Sequence, residues 1–163
     1  MSAALHPRAA FAFSHPAHAI ALGFGAGLAP RGPGTAGTLL AWASGALFLQ
    51  HFAPLVLLAC TPPLFLLGVW ACGLTGRHLG AADHGAMVWD EIVAFLAVLA
   101  VVPPEAAWQA AAFVVFRAFD IAKPPPIRSC ERRWHGGFGV MLDDVLAAGY
   151  TLVVLAVVRR LFA

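Results

Sequence analysis

The sequence predicts an all-α protein: a helical integral membrane protein with short membrane helices interrupted by proline and glycine. Of its 163 residues, 61% are hydrophobic and only 11% are charged, whereas soluble proteins are about half apolar and about a quarter charged. No Asp, Glu, Lys or Arg occurs from Gly32 through Gly76, and about 20 apolar residues suffice to cross a bilayer. Helices are expected in these runs because an open sheet edge in lipid leaves backbone groups without hydrogen bonds.

The uncharged stretch predicts the first two helices. The first begins near Thr35 to Thr38 and continues to about Phe52, where Pro54 ends it. The second reaches Gly76, and Pro62-Pro63 lies at its kink or at its start. Two passes through the membrane fit within this stretch.

Two further apolar runs are shorter. The run Ile92 to Phe116 is broken by Pro103-Pro104 and Glu105 into halves that are each short for a full span. The last run, Val145 to Val158, is also short and ends at Arg159-Arg160. We expect a single domain over residues 1–163, in which about residues 1–22 form a poorly ordered N-terminal extension.

The distribution of charge predicts orientation and excludes one class of partner. The net charge is only +2, and the basic residues are clustered locally, which argues against nucleic-acid binding. Lys and Arg near membrane ends favour the cytoplasmic side. Arg31, Arg77 and the group from Arg117 to Arg133 can all lie on that side if each intervening run enters the membrane and returns. The sequence therefore predicts a multi-pass protein with a polar site at the cytoplasmic face.

The first of four polar islands is "GFGAGLAPRGPGTAGT", Gly23 to Thr38. Its glycines and prolines force turns before a helix that Thr35 and Thr38 are placed to cap. A glycine-rich turn at a helix N-terminus directs backbone N–H groups at one point and suits an anion. A loop that re-enters the membrane needs the same residues, so this island alone leaves both interpretations open.

The second island, "DHGAMVWDEIVAF", contains three acids where an apolar run begins. If Asp83 to Glu91 is helical, Asp83, Met87 and Asp90 lie on one face, with Glu91 one step aside. One such acid would be interpreted as a favourable charge at a helix N-terminus. Three acids beside a membrane run favour a metal or catalytic site.

The third island, "FRAFDIAKPPPIR", places Arg117, Asp120 and Lys123 at successive steps of three, near one helical face that ends before the prolines. Ion pairing of Asp120 with its basic neighbours in the same island would account for the presence of this acid. It would leave Arg128, Arg132 and Arg133 without a role, and arginines suit an anionic ligand such as phosphate.

The fourth island is "RSCERRWHGGFGVMLDDV", in which Asp143 and Asp144 follow a glycine-rich turn that carries His135. Two carboxylates about 4 Å apart repel by about 4 kcal/mol at an effective dielectric constant of about 20. A cation beside them removes that cost.

The islands together predict phosphoryl chemistry on a membrane substrate. Carboxylates without a cysteine or histidine ligand set suit a hard ion such as Mg²⁺, and arginines bind phosphate through paired hydrogen bonds. No cysteine has an arginine six residues further on, and no Asp-x-Asp pair occurs, so covalent phosphoenzyme routes lack their motifs. An attacking water activated by metal is the remaining economical nucleophile.

In their order along the chain, the four islands resemble the motifs of phosphatidylglycerophosphatase A, a family of lipid phosphatases of the bacterial inner membrane. The likeness covers about Gly23 to Gly149. It implies an all-helical fold and magnesium-dependent hydrolysis of phosphatidylglycerophosphate to phosphatidylglycerol and inorganic phosphate. It also places six residues at the acidic motif positions of the family: Asp83, Asp90, Glu91, Asp120, Asp143 and Asp144.

These arguments combine into one hypothesis for the site. The expected Mg²⁺ ligands are Asp83, Asp90, Glu91, Asp143 and Asp144. The groups expected to bind the phosphate are Thr35, Thr38, Arg117, Arg128 and Arg132, with Lys123 as a catalytic cation and Asp120 or His135 as the proton carrier. The expected partners are a membrane phospholipid substrate and the bilayer. Two alternatives stay open: a small transporter or channel subunit whose acids bind ions, and a phosphatase for another lipid phosphate. A scaffold protein would not explain four polar islands.

Overall fold

The computed structural model describes residues 7–162, except for the side chains of residues 131, 132 and 162. Within this range the chain is helical and contains no strand, which confirms the predicted all-α class. In chain order the helices are α1 (Ala9–Ala12), α2 (Pro16–Ala21), a 3-10 helix (Gly23–Leu28), α3 (Pro33–Leu49), α4 (Pro54–Leu79), α5 (Trp89–Leu99), α6 (Ala106–Ala122), α7 (Ile127–Arg133) and α8 (Gly137–Phe162).

Proline and glycine set most of the helix ends. Pro33 and Pro54 occupy the first turns of α3 and α4, where the missing N–H would have no intrahelical partner. Gly80 ends α4 in the left-handed conformation, which glycine adopts without a steric cost. The end of α6 at Ala122, before Lys123 and the prolines, agrees with the sequence prediction.

Helix α4 continues through Pro62 and Pro63 without beginning at them. Pro62 lacks the N–H that would bond to the carbonyl of Leu58 four residues earlier. The Thr61 hydroxyl donates to that carbonyl instead, at 2.8 Å. A neighbouring side chain thus satisfies one group that the prolines leave open, and the helix extends over 26 residues.

The prediction of a short last helix was wrong. Helix α8 begins at Gly137, well before the apolar run at Val145, and contains 26 residues. Its length of about 39 Å exceeds the roughly 30 Å hydrocarbon layer of a bilayer. Asp143 and Asp144 therefore lie in the second turn of a long helix, and not in a loop before it.

The N-terminal residues within 7–22 also differ from the expectation of a poorly ordered extension. Helices α1 and α2 contribute the fully buried Ala12, Ala17 and Ala21 to the core. Nε2 of the buried His18 lies 2.8 Å from Nδ1 of His78 on α4. These small residues and this hydrogen bond let the segment pack closely although its sequence lacks a long apolar run. Residues 1–6 lie outside the described part.

Helix α5 forms the centre of the molecule. It packs against α3, α4, α6 and α8, and ten of its 11 residues are buried. Helices α4 and α8 are long and apolar enough to cross a membrane. Only 22% of the apolar window of α4 is buried inside the molecule, and Leu55 and Leu66 are 74% and 68% exposed. An apolar outer surface of this kind is typical of a helical membrane protein and not of a soluble core helix.

Candidate functional site

Four helix ends and the loop before α5 meet at one side of the molecule around a polar cavity of about 420 Å³. The helix ends are the beginnings of α3, α5 and α8 and the end of α6. Eight of the predicted site residues line the cavity: Asp83, Asp90, Glu91, Arg117, Asp120, Lys123, Asp143 and Asp144. The other lining residues are Gly32, Pro33, Gly34, Gly85, Met87, Ile121 and Val140. Three of the four polar islands thus contribute acidic side chains to this cavity, and the first island contributes the turn from Gly32 to Gly34.

Three buried carboxylates form the centre of this cavity. Asp90 and Glu91 lie in the first turn of α5, and Asp144 lies in α8. One carboxylate oxygen from each lies within 4.8 Å of the other two. Oδ1 of Asp90, Oε2 of Glu91 and Oδ2 of Asp144 are buried and have no hydrogen-bond partner among the described residues. Buried acceptors of this kind need a donor or a cation.

Burial dominates the electrostatics of the two acids in α5. It raises the pKa of Asp90 well above the ordinary carboxyl value, and the negative charges of Glu91 and Asp144 raise it further. Burial also raises the pKa of Glu91, although the guanidinium of Arg117 opposes the change. The arrangement thus disfavours several ionised carboxylates at once, and a bound cation reverses that preference.

Arg117 connects the acids of two helices. Its Nη1 atom lies 3.5 Å from Oε1 of Glu91, and the same atom forms an ion pair with Oδ2 of Asp120, one turn further along α6. All three side chains are largely removed from solvent. Arg117 therefore holds α6 against the beginning of α5 and brings a cation to the edge of the carboxylate cluster.

Lys123 brings a second cation into the cavity. It follows the last residue of α6 with a backbone φ of 42°, a left-handed conformation that is uncommon for residues other than glycine. Its Nζ atom lies 3.2 Å from Oδ2 of Asp143 and 3.9 Å from Oδ2 of Asp83. The turn at the end of α6 thus directs the ammonium group toward the loop before α5 and toward α8.

The loop before α5 is held in place by the N-terminal segment. Residues 83–88 are not helical, so the condition for a shared helical face of Asp83, Met87 and Asp90 is not met, although all three line the cavity. The N–H of Val88 donates to the carbonyl of Ala21 at 2.8 Å. A Cβ atom on Gly27 would overlap the carbonyl of Ala86. Backbone contacts from outside the cavity therefore fix where α5 begins.

Thr35 and Thr38 do not cap α3. The N-cap is Gly32 in the left-handed conformation, and the buried Thr38 hydroxyl donates to the carbonyl of Gly34 at 2.9 Å. Neither threonine lines the polar cavity. The turn formed by Gly32 and Pro33 starts α3 earlier than a threonine cap would. Residues 32–34 therefore line the cavity in place of the threonine hydroxyl groups.

Gly34 was not predicted as a site residue, although the glycine and proline spacing around it predicted a turn. A Cβ atom there would overlap Oε1 of Glu91 and lie 3.0 Å from both Nη atoms of Arg117. The absence of a side chain therefore lets the first turn of α3 pack directly against this ion pair.

Gly34→Ala is expected to lower the rate of the reaction at this site about 10-fold, equivalent to about 1.4 kcal/mol of barrier, because the methyl group must displace Glu91 or Arg117. Initial rates of the purified variant test this. Gly85→Ala is the matched control: Gly85 lines the same cavity, but a Cβ atom there would meet no described atom within 4 Å. Equal rates for the two variants would contradict the role of close packing at Gly34.

Three further predicted residues lie elsewhere. The exposed Arg128 donates from Nη2 to the carbonyl of Ala122 at 3.4 Å. The exposed His135 lines a smaller neighbouring cavity of about 100 Å³ together with Asp83 and Asp143. The side chain of Arg132 lies outside the described residues. The prolines after Lys123 turn the chain away, so Arg128 follows the lysine in sequence without entering the polar cavity.

Comparison with known proteins identifies the family of this chain. The family model of Phosphatidylglycerophosphatase A matches residues 19–159. The chain is 42% identical over 146 residues to a phosphatidylglycerophosphatase A of Haemophilus influenzae, covering 89% of this chain and 90% of that protein. It is also 42% identical over 139 residues to a phosphatidylglycerophosphatase A of Escherichia coli, covering 82% of this chain and 78% of that protein. No solved structure shows a significant match.

Proposed function

The chain belongs to the phosphatidylglycerophosphatase A family, and from this premise we propose that it hydrolyses phosphatidylglycerophosphate to phosphatidylglycerol and inorganic phosphate. The observation that carries the proposal is the clustering of buried carboxylates with Arg117 and Lys123 in one polar cavity, in a molecule that has two helices apolar enough to cross a membrane. Such a cavity suits a charged phosphomonoester on a lipid that stays in the membrane. Its proposed location is the bacterial inner membrane.

Magnesium is the proposed cofactor. Asp90, Glu91 and Asp144 would hold it, because their oxygens converge within 4.8 Å and buried oxygen atoms of all three have no hydrogen-bond partner among the described residues. Carboxylate oxygens are the ligands that Mg²⁺ prefers. When bound, the metal supplies Lewis-acid polarisation of the phosphate and activation of water as the nucleophile.

The chain's own side chains have separate proposed roles in hydrolysis. Arg117 and Lys123 would neutralise charge on the phosphate oxygens as it increases in the transition state. Asp120 lines the cavity and would accept the proton of the attacking water. The water oxygen forms the new bond to phosphorus, the ester P–O bond breaks, and the leaving glycerol oxygen takes up a proton. His135, in the neighbouring cavity, is the less suitable proton carrier.

A direct assay tests the activity. The purified protein is incubated with phosphatidylglycerophosphate, phosphatidic acid and a phosphoinositide monophosphate, each with and without Mg²⁺, and released phosphate is measured. Preferential release from phosphatidylglycerophosphate in the presence of Mg²⁺ is expected. Faster release from another lipid phosphate would contradict the proposed substrate, and no release from any of them would contradict the proposed reaction.

The proposed topology places the polar cavity at the cytoplasmic face. Helix α3 leaves this face and α4 returns to it, so single cysteines introduced near Arg31, Arg77 and Arg128 should all react with a label supplied from the cytoplasm, as the positive-inside rule requires. An exposed position near Leu47, at the far end of α3, should react from the opposite side. Labelling near Arg77 from the opposite side would overturn this topology.

A further inference from the structure

A second cavity lies beside α4, α5 and α8 and has a volume of about 580 Å³. We call it the apolar groove and define it by Leu66 of α4, Val93 and Ala97 of α5, and Val145 and Gly149 of α8. Its volume is within the range of about 300–1,000 Å³ that small-molecule sites occupy. Thr61 is the polar residue of its lining, and its hydroxyl is already bonded to the carbonyl of Leu58. The groove therefore offers apolar contact almost without polar groups.

The apolar groove continues along the helices that form the polar cavity. On α5, Asp90, Val93, Ala94 and Ala97 are spaced as i, i+3, i+4 and i+7, so they lie on one face. Asp90 lines the polar cavity, whereas the three residues that follow it on this face line the groove. The groove thus begins about one turn of α5, or about 5 Å along the helix axis, after Asp90.

The direction of the groove matches that of a lipid chain. On α8 the groove extends from Leu142 past Gly149 to Leu152, a distance of about 15 Å along the axis. Helix α8 is one of the two helices able to cross a membrane. A groove along it therefore runs roughly parallel to the acyl chains of a bilayer, and it begins at the end of the helix that carries Asp144.

Small residues make the groove hollow. Ala94, Ala97, Ala148 and Gly149 contribute little volume to its lining, and a Cβ atom on Gly149 would meet no described atom within 4 Å. At the rim, Leu66 and Val145 are exposed. A flexible chain of methylene groups can fill such a concave apolar surface with many close van der Waals contacts, which is the kind of interaction that drives association within the apolar layer of a bilayer.

We propose that the apolar groove binds one acyl chain of the phospholipid substrate while the phosphomonoester of the same molecule lies in the polar cavity. This inference rests on the proposed function. A lipid phosphate carries its charge and its apolar chain on one molecule, and the two cavities follow one another on α5 in the matching order. Binding of the chain would fix the depth of the phosphate relative to Asp90, and so orient it for attack.

A kinetic comparison tests the groove. Gly149→Leu and Ala97→Leu place added side-chain volume in it. For phosphatidylglycerophosphate with long acyl chains, kcat/KM should decrease at least about 10-fold, whereas for the deacylated head group it should change by less than about 2-fold. Ala43→Leu, on an exposed position of α3, adds similar volume outside the groove and should affect neither substrate. Unchanged kcat/KM for the long-chain substrate in both groove variants would overturn the proposal.

A photocrosslinking experiment on the unmodified chain gives an answer that does not depend on the folding of variants. Phosphatidylglycerophosphate with a photoreactive group on one acyl chain should label peptides of α4 and α8 that line the groove, and excess unlabelled substrate should suppress this labelling. Phosphatidylcholine with the same group should label them weakly.

Two outcomes of the photocrosslinking experiment would overturn the proposal that the apolar groove binds an acyl chain of the substrate. Equal labelling by both lipids would mean that bulk lipid fills it, and crosslinks between two protein chains through α4 or α8 would mean that a second copy covers it. Absence of phosphate release by the unmodified protein contradicts the proposed function, whereas normal release with unaffected groove variants contradicts only the groove.

Discussion

Asp144→Asn is expected to reduce kcat at least about 100-fold, which corresponds to about 2.7 kcal/mol of barrier, while the protein stays folded. Asp144 is only 3% exposed, and its Oδ2 atom is buried and has no hydrogen-bond partner among the described residues. Asparagine keeps the size of the side chain and has a similar helix propensity. It removes one negative charge and one strong metal ligand. Initial rates of phosphate release and a thermal unfolding curve measure the two effects.

Glu105→Gln is the matched control for this substitution. Glu105 is exposed and precedes α6 at the end remote from Arg117 and Asp120. The same loss of one carboxylate charge should leave kcat within about a factor of two there, as for most surface changes. Equally mild effects at both positions, with unchanged unfolding temperatures, would mean that the charge of Asp144 serves membrane placement and not phosphate chemistry.

Removal of divalent cations is expected to abolish phosphate release, and added Mg²⁺ should restore it. Calcium should substitute poorly, because it prefers looser coordination at about 2.3–2.6 Å, whereas Mg²⁺ requires about 2.0–2.1 Å. A second measurement is independent of turnover. Mg²⁺ at 100 times its Kd should stabilise the folded protein by about 2.7 kcal/mol, and this gain should be much smaller in Asp144→Asn. Full activity in excess chelator would contradict the metal hypothesis.

The apolar runs were sufficient to predict the helical class and most of the helix positions. Near Pro54, Pro103 and Lys123, local chemistry determines where helices start and stop, and the prediction held at each. The predicted convergence of the islands also agrees with the polar cavity, because four helix ends and the loop before α5 meet where the acidic residues are. The sequence cannot reveal which of several nearby charges enters that cavity. Arg128 and His135 have suitable chemistry and lie beside it.

Where the helices of the structure differ from those predicted from the sequence, the common physical cause is tertiary packing. Glycines and two adjacent aspartates are poor helix formers, yet α8 begins at Gly137. A Cβ atom on that glycine would overlap the carbonyl of Val69 on α4, so the close approach of two helices favours glycine at this start. Helical stability in proteins comes mainly from such packing, which local propensity does not report.

The hydrogen bond from Val88 to Ala21 has a consequence for deletion experiments. A shortened chain that lacks residues 1–22 would lose the acceptor for Val88, the residue directly before α5 and two residues before Asp90. Activity would then decrease although no side chain among residues 7–22 lines the polar cavity. Such a result would be easy to misread as proof of catalytic residues near the N-terminus. Ala21→Gly in the full-length chain keeps this carbonyl and removes the side chain, so retained activity in that variant would separate the two explanations, since only the main chain makes this contact.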